Sequence, residues 1–129
     1  MRVLLDTHAL LWWFAGDPHL SRPARDIIGQ TDNGILVSAA TAWEIATKVR
    51  IGRLPSAARL VAAFASLLDE QSFTALSVML DHALRAGNLP GPHRDPFDRM
   101  LIAQAQVEES RIVTRDEAIG AYDVPILLA

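Results

Sequence analysis

Short apolar runs alternate along the chain with longer stretches in which apolar residues recur at helical spacing. The short runs show little polar alternation, which is typical of parallel β-strands that are covered on both faces. They predict five strands, which are Val3–Leu5, Ile35–Val37, Phe73–Leu76, Arg111–Thr114 and Pro125–Leu128. The last run begins with proline, which an edge strand tolerates. The pattern therefore predicts a parallel sheet with the last run at its edge.

The longer stretches are bounded by residues that begin and end helices. Ser21 and Asp95 are suited to the N-cap position, and each is followed by a proline in the first turn. The predicted helices are Thr7–Phe14, one from Ser21 through Ile28, Ala39–Val49, one that Pro55 opens and that includes Leu68, Val78–Ala86, one from Asp95 through Glu108 and a short one around Glu117. Strands that alternate with helices predict one α/β domain over residues 1–129.

Composition narrows the functional classes. The 129 residues include 12 Lys and Arg, 15 Asp and Glu and no cysteine, for a net charge of −3. The lack of cysteine excludes disulfides, thiolate zinc sites and a cysteine nucleophile. The charge argues against binding nucleic acid by bulk positive charge, but it allows a nuclease whose bound cations supply charge locally. No apolar run is long enough to cross a membrane, so we expect a cytoplasmic protein without a membrane partner.

Two aspartates follow predicted strands at the positions where α/β proteins place their sites. Asp6 comes directly after the first strand, and Asp116 comes two residues after the fourth. Sites in open parallel sheets form beyond the carboxyl ends of the strands, so the two carboxylates meet if these strands are neighbours. A lone aspartate at such a position is more typical of a helix cap or a turn.

Two further carboxylates lie in predicted helices. Glu44 stands among apolar residues, although a surface glutamate paired with Lys48 one turn later is an alternative. Asp98 lies in the first turn of the helix that Asp95 caps, where the helix dipole also favours acids. Several converging carboxylates raise the pKa of at least one member unless a divalent cation is bound. Mg²⁺ and Mn²⁺ prefer such oxygen ligands, and the chemistry indicated is phosphodiester hydrolysis by metal-bound water.

Four blocks of sequence resemble the PIN-domain toxins of VapBC toxin–antitoxin systems. The resemblance covers the chain in order from Val3 to Leu127, and its most specific run is Asp95–Arg99 with the helical residues that follow. The blocks are Leu4–Trp12, Val37–Ala39 with Trp43–Ala46 and Lys48, His93–Ala105, and Val113–Asp116.

This resemblance implies an α/β/α sandwich with a central parallel sheet and an endoribonuclease that depends on Mg²⁺ or Mn²⁺. The catalytic and metal-binding carboxylates of the family correspond to Asp6, Glu44, Asp98 and Asp116. The resemblance also implies that the residues that orient carboxylates or bound water are Thr7, Ser38 and Thr114. Asp95 is acidic in the family's motif as well, and we interpret it as a helix cap that lies behind the metal ligands. The implied partners are an RNA substrate, a second copy of the chain, and a VapB-like antitoxin whose C-terminal segment places a basic side chain in the acidic pocket.

Other polar and aromatic residues keep two interpretations. Basic side chains just past Glu44 either form a solvated helix end or guide RNA, and two arginines next to site aspartates either pair with them or contact phosphate. These residues are Lys48, Arg50, Arg53, Arg99 and Arg115. We expect structural roles for His8, His82 and His93, and an apolar helix face or a dimer interface, rather than base stacking, for Trp12–Phe14.

Two other functions remain open from the sequence. A phosphoacceptor receiver-like domain also places acids around Mg²⁺, but it requires a lysine on a late strand, and the one lysine here, Lys48, lies in a predicted helix. A catalytically silent PIN domain that only binds a partner is the second alternative. The complete set of four carboxylates argues against it.

Overall fold

The computed structural model describes residues 1–129 and contains one five-stranded sheet. All four strand pairings are parallel, and the order across the sheet is β3-β2-β1-β4-β5. The strands are β1 (Arg2–Leu5), β2 (Gly34–Ser38), β3 (Thr74–Leu76), β4 (Arg111–Thr114) and β5 (Ile126–Leu128). The predicted parallel sheet is confirmed, and the strand that follows Pro125 lies at an edge.

Seven α-helices and two short 3₁₀ segments connect the strands. The helices are α1 (Thr7–Ala15), α2 (Arg22–Gly29), α3 (Ala39–Arg50), α4 (Ala58–Ala62), α5 (Phe64–Glu70), α6 (Leu80–Asn88) and α7 (Pro96–Glu108), and the 3₁₀ segments are Pro55–Ala57 and Glu117–Tyr122. Ser21 and Asp95 cap α2 and α7 as predicted, since each side chain accepts a hydrogen bond from a backbone N–H of the first turn. None of these helices is long and apolar enough to cross a membrane.

The single helix predicted after Pro55 is wrong, because the structure divides this stretch into three pieces. A 3₁₀ turn leads into α4, and the backbone then leaves the helical region at Ala63, where φ is −129° and ψ is 30°. Leu60 and Leu68 are nevertheless both buried in the same core cluster. The apolar periodicity therefore predicted the buried face correctly. It did not predict the interruption of the helix, because the residues on both sides of the interruption still face the core.

Helix α6 begins two residues later than the predicted Val78. The His82 Nδ1 atom accepts a hydrogen bond from the Met79 backbone N–H at 3.0 Å, so the imidazole caps the first turn. The His82 Nε2 atom lies 3.2 Å from Glu108 Oε2 on α7, and the ring is almost completely buried. The structural role that we expected for His82 is confirmed.

Alternate residues of the strands supply two hydrophobic cores. On one face, Val3 and Leu5 pack with residues of α1 to α5, while on the other face Leu4 packs with Leu101 and Ile102 of α7. Because each face is covered by helices, the structure is the expected three-layer α/β/α sandwich.

The strand order places the ends of β1 and β4 side by side. Leu5 pairs with Val113, and the Asp6 backbone N–H donates to the Val113 carbonyl at 3.0 Å. The chain winds outward from β1 in both directions, to β2 on one side and to β4 on the other. Such a reversal of strand order leaves a crevice at the carboxyl edge, and this is where α/β proteins bind ligands.

Candidate active site

A polar cavity of about 440 Å³ opens at this edge of the sheet. It contains no hydrophobic side chain in its lining, which consists of Asp6, Thr7, His8, Glu44, Lys48, Asp95, Asp98, Thr114, Arg115 and Asp116. The four carboxylates that the sequence singled out as metal ligands therefore line one cavity, although they come from four separate parts of the chain.

Asp6 directly follows β1, the middle strand of the sheet. Its backbone extends β1, and its side chain caps α1 by accepting a hydrogen bond from the Ala9 N–H at 2.9 Å. Burial raises the pKa of the Asp6 carboxyl, although hydrogen bonds from Thr114 and Ala9 and the charges of His8 and Arg115 act in the opposite direction. The protein therefore holds a desolvated carboxylate in a position where a cation would stabilise its charged form.

Glu44 is buried on α3 and is held by hydrogen bonds at both oxygens. The Thr7 hydroxyl donates to Oε1 at 2.6 Å, and the Lys48 ammonium donates to Oε2 at 2.7 Å. The two interpretations of Glu44 are thus combined: it pairs with Lys48 one turn later, yet it is a buried residue of the cavity rather than a surface glutamate. Thr7 orients a carboxylate, as the resemblance implied.

Asp98 projects from the first turn of α7, next to the residue that caps the helix. The Asp95 side chain accepts hydrogen bonds from the backbone N–H groups of Phe97 and Asp98, at 2.8 and 3.3 Å. Burial raises the pKa of Asp98, the negative charges of Asp95 and Asp6 raise it further, and a hydrogen bond with His93 lowers it. The pKa values of Asp6 and Asp98 are thus both raised mainly by desolvation, and the repulsion between carboxylates that the sequence led us to expect contributes only at Asp98.

Asp116 is the most open of the four, with 41% of its side chain exposed. It caps the 3₁₀ segment after β4 by accepting from the Ala118 N–H at 3.0 Å. The Thr114 hydroxyl in turn accepts from the Asp116 backbone N–H at 3.0 Å, and it is also a hydrogen-bond partner of Asp6. One hydroxyl therefore links the two aspartates that follow neighbouring strands.

Two residues expected at the site are occupied elsewhere. The Ser38 hydroxyl oxygen accepts from the Ala40 N–H at 3.0 Å and caps α3, and Ser38 does not line the cavity. The Arg99 guanidinium donates to the backbone carbonyls of Ala86, Leu89 and His93, so it contacts no site carboxylate and does not line the cavity. Both predictions are therefore corrected. Ser38 caps a helix instead of orienting a carboxylate, and Arg99 holds the loop before α7 instead of pairing with a site aspartate or contacting phosphate.

The remaining basic residues divide into two groups. Lys48 and Arg115 line the cavity, whereas Arg50 and Arg53 are exposed outside it. Lys48 is tied to Glu44, while the Arg115 guanidinium lies over the ring of Trp12, 5.7 Å from its centroid. Arg115 is therefore the cavity cation that is not paired with a carboxylate.

The aromatic run of α1 is mainly structural, as expected. Trp13 and Phe14 pack against Phe73 with ring centroids 6.0 and 6.2 Å apart, and both are partly buried against the main core. The Trp12 ring contacts the guanidinium of the cavity residue Arg115, and it also packs against the rings of His8 and His19.

Sequence reasoning underestimated two histidines. His8 lines the cavity two residues after Asp6, and the His93 Nε2 atom lies 2.8 Å from Asp98 Oδ2 and 3.9 Å from Asp116 Oδ2. The available signal was the short separation of each histidine from a site aspartate. The separation in sequence does not predict where the His93 side chain points, because the conformation of the loop determines its orientation.

The four carboxylates are of the ligand type that a hard divalent cation prefers, and a ligand atom of Asp98 and one of Asp116 lie within 4.8 Å of each other and of a His93 nitrogen. Asp6, Glu44, Asp98 and Asp116 offer only oxygen atoms, which Mg²⁺ and Mn²⁺ prefer, and the polar lining leaves room for the water that Mg²⁺ retains. The raised pKa values of Asp6 and Asp98 fit the same interpretation. The arrangement is suited to binding a cation next to a phosphodiester.

The fold and this acidic cavity define a PIN domain, and the chain belongs to the PIN domain family, which matches residues 3–125. It is 29% identical to Ribonuclease VapC22 of Mycobacterium tuberculosis (strain ATCC 25618 / H37Rv) over 126 residues, which cover 95% of this chain and 93% of that protein. Family membership removes the receiver-like alternative.

Solved toxin–antitoxin complexes contain chains of the same fold. A chain in VapBC2 from Rickettsia felis bound to a DNA fragment from its promoter is 15% identical with a TM-score of 0.70, covering 98% of both chains. A chain in VapBC-1 from nontypeable Haemophilus influenzae is 16% identical with a TM-score of 0.67, covering 98% of this chain and 97% of that one.

Proposed function

We propose that this chain is an endoribonuclease toxin of a toxin–antitoxin pair that depends on Mg²⁺ or Mn²⁺. The observation that carries the proposal is the meeting of Asp6, Glu44, Asp98 and Asp116 in one polar cavity. The similarity to a ribonuclease named VapC supports RNA as the substrate. With RNA as the substrate, the cytoplasm is the proposed place of action.

The four carboxylates would hold the cation, which when bound supplies an activated water and stabilises charge on the phosphate. The chain's own contribution is to fix the orientation of each ligand. Thr7 and Lys48 hold Glu44, and the Ala9 N–H holds Asp6. Arg115 is available to pair with a phosphate at the cavity mouth. Because water rather than the ribose 2′-hydroxyl attacks, the products are a 5′-phosphate and a 3′-hydroxyl.

The test is cleavage of total cellular RNA by the purified chain in Mg²⁺, in Mn²⁺ and in EDTA. We expect cleavage with Mg²⁺ or Mn²⁺ and none in EDTA. The downstream fragments should carry a 5′-phosphate, so an adapter can be ligated to their 5′ ends without prior phosphorylation. Fragments that end in a 2′,3′-cyclic phosphate would contradict the mechanism. No cleavage with either metal would instead indicate the catalytically silent PIN domain.

We propose that the antitoxin docks in an apolar groove on the chain. The groove between α1 on one side and α4 and α5 on the other is lined by side chains that include Leu11, Phe14, Leu60 and Leu67, and His8 lines both this groove and the acidic cavity. We assign the groove to a C-terminal antitoxin segment that is apolar and then basic, because most of the groove lining is apolar and the groove adjoins the acidic cavity at His8. Chains of similar fold in VapBC complexes support this partner. A homodimer, which the resemblance implied, stays a prediction.

The basic residues give a prediction about RNA affinity. Replacing Arg115 with Ser should weaken RNA binding in Ca²⁺ and reduce the slope of log K against log salt by about 0.7, the value for one contact to single-stranded phosphate. A similar reduction of the slope per replaced residue in Arg50→Ser/Arg53→Ser would indicate that the bound RNA extends along α3. The matched control is Arg22→Ser/Arg111→Ser, which removes exposed charges outside the cavity. Equal slopes in the wild type and the three variants would mean that these arginines do not contact RNA phosphates and only belong to the solvated surface.

A further inference from the structure

The loop between α6 and α7 is held in one conformation by contacts from both sides. Arg99 of α7 donates to three backbone carbonyls, those of Ala86, Leu89 and His93. Arg99 therefore holds the last turn of α6 at Ala86 and the loop at two points, its first residue Leu89 and His93.

Tyr122 fixes the same loop from the opposite side. Its hydroxyl accepts a hydrogen bond from the His93 backbone N–H at 2.7 Å, and its ring packs edge-on against the imidazole, with centroids 6.2 Å apart. Gly91 has a φ of +106°, and a Cβ there would lie 2.7 Å from the Tyr122 ring. Glycine is therefore required by backbone conformation and by this close approach.

The result of both constraints is the position of the His93 ring. Its Nε2 atom lies 2.8 Å from Asp98 Oδ2 and 3.9 Å from Asp116 Oδ2, while the side chain is 19% exposed. One ligand atom from each of the three residues lies within 4.8 Å of the others. Neighbouring ligands in an octahedral Mg²⁺ or Mn²⁺ site are about 3 Å apart and opposite ones about 4 Å, as metal–ligand distances of about 2.1 Å require. The three atoms thus need only small shifts to share one ion.

We propose that His93 is a metal ligand together with Asp98 and Asp116, and that its nitrogen shifts the preference of the site from Mg²⁺ to Mn²⁺. The inference rests on the proposed metal-dependent function. Carboxylates suit Mg²⁺ and Mn²⁺ alike, whereas an imidazole favours first-row transition ions over Mg²⁺. The hydrogen bond between His93 and Asp98 is replaced on binding by coordination of both side chains to the ion.

Pulsed EPR of the Mn²⁺-loaded wild-type chain tests the coordination directly. We expect electron spin-echo modulation from a directly bound ¹⁴N, and a changed pattern when histidine is supplied as ¹⁵N. The coupling should vanish in His93→Gln and persist in His8→Gln, which replaces the histidine that lines the cavity. Because the ¹⁵N experiment uses the wild-type chain, it does not depend on the folding of any variant. Absence of nitrogen coupling in the wild type overturns the proposal.

Metal affinity distinguishes a ligand from a residue that only orients Asp98. In His93→Gln, we expect the affinity for Mn²⁺ to fall at least tenfold more than the affinity for Mg²⁺, as measured by calorimetry. Equal losses for the two ions would mean that His93 acts through Asp98 alone and would overturn the proposal. A wild-type chain that binds neither ion and cleaves no RNA would contradict the proposed function itself, whereas cleavage without nitrogen coupling contradicts only the role of His93.

Discussion

Asp6→Asn, Glu44→Gln and Asp98→Asn are each expected to lower the rate of RNA cleavage by at least about a hundredfold at saturating Mg²⁺. Each substitution removes a negative oxygen ligand while it preserves the shape of the side chain. All three residues line the cavity and none belongs to a hydrophobic core cluster, although Glu44→Gln also removes the charge that pairs with Lys48. The measurement is single-turnover cleavage of one RNA, with growth arrest on expression as a second readout.

The matched control is Asp26→Asn, which makes the same chemical change at an exposed position of α2 outside the cavity. It should cleave RNA at the wild-type rate. Near-normal cleavage by the three site variants would contradict the assignment of these carboxylates. A uniform loss in all four proteins would point to contamination of the wild-type preparation by another nuclease.

Much of the fold could be predicted because it depends on local patterns. The unbroken apolar runs of β1 and β4 reflect burial on both faces, and helix α7 begins and ends as its cap and periodicity predicted. The break at Ala63 could not be predicted, since both α4 and α5 bury the same face. Local breaks of this kind are decided by packing against neighbouring helices, and a periodic pattern does not contain that information.

Only some residues of the candidate site could likewise be predicted from the sequence. Asp6 and Asp116 could be placed together because parallel strands end at one edge of the sheet. The family resemblance, and not the spacing, connected Glu44 and Asp98 to them. The positions of Arg99 and His93 depend on a loop that Tyr122 holds from 29 residues away, at the hydrogen bond to the His93 N–H. Long-range contacts of single side chains leave no periodic signal in the sequence, so Arg99 was expected either to pair with a site aspartate or to contact phosphate rather than to hold the loop.

The buried carboxylates should also make stability depend on metal. Mg²⁺ at a hundredfold excess over its dissociation constant should stabilise the wild-type chain by about 2.7 kcal/mol, because it binds only the folded state. For a chain of this length, that is a rise in Tm of about 10 °C. Asp6→Asn should lose most of this gain while keeping the cap of α1, since an amide oxygen can still accept from the Ala9 N–H.

The metal-free proteins should differ in the opposite direction, and the sign follows from the raised pKa of Asp6. A carboxyl whose folded pKa is raised contributes stability below its unfolded pKa of about 3.9, and that contribution is lost as pH rises through the folded pKa. In EDTA, wild type and Asp6→Asn should therefore melt at similar temperatures near pH 4, and the variant should melt higher at pH 7. Thermal melts from pH 4 to 8, with EDTA and with Mg²⁺, measure both effects. If the variant melts lower than wild type in EDTA at pH 7 and still gains as much from Mg²⁺, then Asp6 is only a helix cap. In that case the raised pKa would be a consequence of burial alone, without a cation site to explain why a carboxylate is buried there.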